Sequence, residues 1–165
     1  MSKLQASRTA QYGLIAEFIW NHNGWVVDSA DGSKKTLGST VAASTDPLEP
    51  VLTGPVANTV VFDCIPMPPG AVIWGGSLIV ETAAAGATAY TVSLGVAGNT
   101  TALLNAQSAL ATGRTALTLT TPMISNAGQN LRATIAYTVA NTTAGRFRLR
   151  VDYSIDGRSS EVQVA

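Results

Sequence analysis

The segment Arg146-Phe147-Arg148-Leu149-Arg150-Val151-Asp152-Tyr153-Ser154-Ile155-Asp156 alternates polar and apolar residues without a break. Successive side chains of a strand point to opposite faces, so Phe147, Leu149, Val151, Tyr153 and Ile155 share one face. Arg146, Arg148 and Arg150 stand in a row on the other, followed by Asp152, Ser154 and Asp156. One wet face and one dry face mark an antiparallel sheet with a single side against a core. The segment predicts a long strand of a layered β-domain, with a stripe of arginines turned outward.

The same period recurs upstream. Thr59 to Ile65 offers Val60, Phe62 and Cys64 to one face with Asp63 outward, and Pro66, Pro68, Pro69 and Gly70 form a stiff turn after it. Val72 and Trp74 alternate as far as Gly75-Gly76, which predicts a bulge, and Leu78 and Val80 resume the pattern. Tyr90, Val92, Leu94 and Val96 line one face of a further strand, and Leu117 and Leu119 do the same between Thr118 and Thr120. Leu131, Ala133, Ile135, Tyr137 and Val139 alternate with Arg132, Thr134 and Thr138. The turn Asn141 to Gly145 then predicts a hairpin between this strand and the next. Leu103 to Ala111 reads as a short helix or a loop. Strands at this spacing with turn residues between them predict an all-β protein, a jelly-roll-like antiparallel β-sandwich. An immunoglobulin-like sandwich lacks its cysteine pair here.

Residues 1–55 are set apart as an N-terminal arm and loops, and 56–165 as the sandwich domain. Tyr12 to Trp20 reads as a strand with Leu14, Ala16, Phe18 and Trp20 on one face; a helix is the alternative, since Leu14, Ile15, Phe18 and Ile19 also suit its period. Asn21-His22-Asn23-Gly24 is a turn, Trp25-Val26-Val27 a short strand, and Asp28 to Pro55 a loop or extended arm. Phe18, Trp20 and Trp25 would pack on their own domain or reach a neighbour.

Composition narrows the function. The chain has 165 residues, only 12% of them charged, and zero formal net charge. General affinity for nucleic acid is therefore not expected. No apolar run approaches the ~18 residues that a spanning helix needs, and no signal peptide is evident, which predicts a soluble protein made in a cytoplasm. Between Glu81 and Arg114 there is no charge at all, a neutral stretch that favours coverage by another copy or another protein.

Catalytic and metal chemistry find little material. His22 is the single histidine, and its turn explains it; Cys64 is the single cysteine, on an inward strand position. Asp28-Ser29-Ala30-Asp31-Gly32-Ser33 has the wrong acidic spacing for a calcium loop and reads as a solvated turn. Gly32-Ser33-Lys34-Lys35-Thr36 lacks the earlier glycine of a phosphate loop. The carboxylates are scattered rather than paired. No catalytic residue, cofactor or metal is expected. For Arg146, Arg148 and Arg150 the favoured reading is cross-strand pairing with carboxylates, and the alternative is contact with a partner.

The run from Val60 to Arg158 resembles structural proteins encoded among the head genes of tailed bacteriophages. The matching residues are Phe62 through Pro69-Gly70-Ala71-Val72-Ile73, then Gly76-Ser77-Leu78-Ile79-Val80-Glu81. Tyr90 to Gly95, Thr112-Gly113-Arg114-Thr115 and Gly145 to Tyr153 with Asp156-Gly157-Arg158 complete them. The resemblance implies a jelly-roll unit that decorates or cements an icosahedral capsid from outside, after synthesis in the host cytoplasm. Its implied partners are the major capsid protein and further copies of itself, as a trimer or dimer. Phe18, Trp20, Trp25, the neutral loops and the three arginines are then the candidate contacts. A fibre or tail module that binds a receptor or carbohydrate is the alternative.

Overall fold

A computed structural model describes residues 13–38, 58–119, 123–125, 128–138 and 142–155. They form antiparallel strands: β1 (Leu14–Asn21), β2 (Trp25–Val27), β3 (Lys34–Thr36), β4 (Asn58–Met67), β5 (Ala71–Ala85) and β6 (Ala89–Val96). β7 (Asn99–Ser108), β8 (Gly113–Ala116), β9 (Met123–Ser125), β10 (Gln129–Thr138) and β11 (Ala144–Ile155) follow. One sheet runs β1-β11-β5-β8, with β9 also on β5; the second runs β4-β10-β6-β7; β2 and β3 form a separate ribbon.

The pairing is nested. β1 pairs with β11, β4 with β10, β5 with β8 and β6 with β7, first with last and inward to the β6–β7 hairpin. Contacts β11–β5 and β10–β6 then close the two sheets. Eight strands in two sheets with this order are a jelly roll. The predicted hairpin between the last two long strands is thereby corrected: β10 and β11 lie in different sheets. Local pairing is the default for neighbouring strands, and here the nested partners displace it.

Inward faces follow the two-residue period. Phe147, Leu149 and Val151 of β11 are buried, as are Tyr90, Val92, Leu94 and Val96 of β6 and Leu131, Ala133, Ile135 and Tyr137 of β10. Rings join the layers: Phe18 of β1 meets Phe62 of β4 at 5.8 Å, and Phe147 of β11 stacks on Tyr90 of β6 at 5.0 Å. The ribbon plugs one end of this core. Tyr90 donates its hydroxyl to the Leu37 carbonyl at 2.9 Å, and Tyr137 donates to that of Thr36 at 3.4 Å. Ser29 N–H donates to the Val61 carbonyl on β4, fastening the ribbon to that sheet.

Several local readings change. Leu14 to Asn21 is a strand and not a helix, paired with β11 over eight residues, so this part of the proposed arm is built into the sandwich. Leu103 to Ser108 is strand rather than helix or loop. Adjacent Leu103 and Leu104 are both buried, and Ala106 sits at φ 45°, so irregular pairing with β6 erases the alternation. The strand expected at Leu117–Leu119 lies earlier, at β8. The bulge predicted at Gly75-Gly76 lies just before them: Asp152 of β11 faces Gly75 and Tyr153 faces Ile73, so Trp74 is the extra residue. It turns Ile73 inward and leaves Trp74 56% exposed. Tyr12, Val139, Asn141, Asp156 to Arg158 and the greater part of the Asp28–Pro55 loop lie outside the described residues.

Candidate interaction surface

β1 is an edge strand, and its two faces differ from those of a guarded edge. Ile15 and Ile19 point outward at 54% and 44% exposure, while Phe18 on the inner side is half-buried. Edge strands are usually blunted by charge, proline or bulges. β4 follows that rule with Asp63 and Pro66 outward, and β7 does so through its irregular register. β1 carries one charge, Glu17, and that carboxylate lies 3.6 Å from Arg148 on the neighbouring strand. Next to it an open groove of about 500 Å³ runs between Phe18, Phe62 and the ribbon residues Trp25 and Val27. Trp25 is 48% exposed, with the Lys34 ammonium 4.9 Å from its ring centre, a cation–π contact.

The predicted contact residues separate accordingly. Trp20 is 5% exposed and packs on Phe147 at 5.4 Å, so it belongs to the core and offers no surface to a partner. Phe18 and Trp25 border the groove. Arg146, Arg148 and Arg150 meet carboxylates. Glu81 on β5 places one oxygen 2.7 Å from Arg146 Nε and the other 2.7 Å from Arg148 Nε. Arg150 Nε donates to Asp152 at 3.0 Å. Exposed pairs of this kind are each worth about 0–1 kcal/mol, so the stripe keeps the strand soluble more than it holds the fold together. Ile15 and Ile19 are exposed apolar positions that the sequence reading did not single out as contacts, and Trp74 is exposed as well. For Ile15 and Ile19 the signal was present, since both fall on the face opposite Phe18.

The remaining candidates are accounted for locally. Asp28 accepts the Ala30 N–H at 2.8 Å and the Lys35 ammonium at 2.6 Å. Asp31 accepts from both the hydroxyl and the backbone of Ser33. Those Ser33 hydrogen bonds, with Lys35 adding to them, hold the Asp31 carboxyl down at about 2. The calcium-like spacing is thus a turn whose carboxylates face an ammonium. Cys64 is buried and donates to the Leu131 carbonyl at 3.2 Å. Burial pushes its thiol up to about 12, which keeps it from acting as a thiolate nucleophile at neutral pH. Among the described residues no group of three or more His, Cys, Asp or Glu is placed to hold a metal ion.

No family model and no curated protein matches the sequence. Among solved structures, a chain described as "Cyanophage Pam1 capsid asymmetric unit" superposes with a TM-score of 0.59 at 18% identity. The match covers 93% of this chain and 94% of that chain. At this identity it establishes a common fold, the two-sheet antiparallel sandwich described above.

Proposed function

We propose that the protein is a structural component of a phage virion that binds an icosahedral capsid from outside and decorates or cements it. The observation that carries this reading is the fold shared, over nearly the full length of both chains, with a chain of a cyanophage capsid asymmetric unit. The surface supports it: the exposed apolar side chains of β1, the groove at Phe18 and Trp25, and exposed Trp74 suit contact with other protein. The implied partners are the major capsid protein and further copies of this chain, as a trimer or dimer.

A cementing protein binds the assembled lattice and not its dissociated subunits, so it stabilises the shell by mass action. Several weak contacts in one oligomer add through effective concentration. Purified protein added to bare capsids is therefore expected to raise their disruption temperature in a saturable way. Replacing Ile15 and Ile19 together by Ser should reduce that rise, since both are exposed and neither supports the core. An unchanged disruption temperature together with no co-sedimentation would remove the cementing role.

A further inference from the structure

The end of the sandwich where β1 leaves its sheet and β11 enters holds a polar pocket distinct from the apolar groove. It is open, about 340 Å³, and lies between Asn21, His22, Asn23, Thr82, Thr143 and Arg146. Register builds it, because Asn21 stands opposite Arg146 and Arg146 opposite Thr82 across three neighbouring strands.

The fixed acceptors at this site are already used. The Gly145 carbonyl accepts the His22 backbone N–H at 3.0 Å and lies 3.3 Å from His22 Nδ1. The Ala85 carbonyl accepts the Thr143 N–H at 2.8 Å and its hydroxyl at 3.4 Å. The Asn21 carbonyl accepts the Gly24 N–H at 3.0 Å. Glu81, the nearest acid, divides its two oxygens between Arg146 and Arg148. With Glu17 3.6 Å from Arg148, two carboxylates serve these two guanidiniums, each of which carries five N–H donors.

The donors are in excess. Arg146 keeps a side-chain exposure of 52% at the pocket while ion-paired through Nε. Asn21, Asn23 and Thr82 are exposed and stand in the pocket wall with their side-chain amides and hydroxyl. Amides and hydroxyls can turn either polarity to a ligand, so the guanidinium decides which ligand fits.

We propose that this pocket binds an oxyanion, a carboxylate or phosphate group, against the Arg146 guanidinium. Planar guanidinium accepts either through parallel, charge-assisted N–H bonds. The Asn21, Asn23 and Thr82 side chains complete the shell. The proposal concerns the isolated protein and does not depend on capsid binding.

His22 is the single histidine of the chain, so its ring resonances are an unambiguous probe in the wall of the pocket. They are followed by NMR at constant pH and ionic strength while sodium acetate or sodium phosphate replaces sodium chloride. A saturable shift is expected. Saturation by acetate alone assigns a carboxylate, saturation by phosphate alone a phosphoryl group, and either supports the site. Arg146→Gln should weaken binding about tenfold or more, the loss expected for a charge-assisted hydrogen bond. Asn23→Ala, which leaves every ion pair intact, should weaken it by a smaller factor. A linear drift without saturation in both series, or equal affinity in Arg146→Gln and the parent, overturns the proposal.

Discussion

Phe147→Ala is expected to destabilise the protein by about 3–5 kcal/mol, the range for removing a buried aromatic side chain. Phe147 is fully buried. Its ring stacks on Tyr90 at 5.0 Å with an interplanar angle of 12°, and it packs on Trp20 at 5.4 Å. It therefore joins a strand of one sheet to a strand of the other while supporting its own edge neighbour. Truncation leaves a cavity among large rings, and rings on regular strands collapse poorly into such a space. For a chain of this size the loss lowers the melting temperature by about 6–20 °C, at roughly 2–4 °C per kcal/mol. Urea denaturation measures the free energy directly. A change below about 1 kcal/mol would show that the two sheets are not held together at this point.

Gly95→Ala should cost at least about 3 kcal/mol, the upper end for overpacking, because the obstacle is backbone. A Cβ at Gly95 of β6 would stand 2.0 Å from the Asn99 carbonyl oxygen and 2.5 Å from the Thr100 carbonyl carbon. Neither atom can rotate away, so β7 must separate from β6 at the hairpin that joins them. The expected result is a large fall in melting temperature, or loss of soluble protein altogether. Gly98→Ala is the matched control. It sits in the same connection, where a Cβ would meet nothing within 4 Å, although φ +91° makes that substitution strained in its own right. Full stability of Gly95→Ala would contradict the close approach of β6 and β7.

The sheets were legible wherever alternation survives. β11, β10 and β6 present their inward residues at every second position, and a two-residue period needs no knowledge of the partner strand. β7 was not legible because two adjacent leucines are buried and a positive φ at Ala106 interrupts the strand. The pairing of β10 with β11 was misread for a different reason. A turn sequence reports that the chain reverses, not which sheet it enters, and the nested partners lie far away in sequence.

The surface divides in the same way. Arg150 with Asp152 is a pair two residues apart and could be anticipated, as could cross-strand acids in general. That Glu81 takes both Arg146 and Arg148 depends on register between β5 and β11. Trp20 and Trp25 look alike as aromatics near a turn, yet one closes the core and the other stands on the ribbon. The Asn21 to Asn23 turn was read correctly as a turn. Its meeting with Arg146 and Thr82 follows only from three strands lying side by side, which no local pattern reports.

The central claim is that this jelly roll is a structural part of a virion. Its most direct test is a cryo-electron microscopy reconstruction of phage particles assembled in cells that make this chain. The account predicts density that fits the two-sheet sandwich, repeated at icosahedrally related positions on the outer surface of the shell. A shell without that density, with the chain also absent from the purified particles by mass spectrometry, would contradict it.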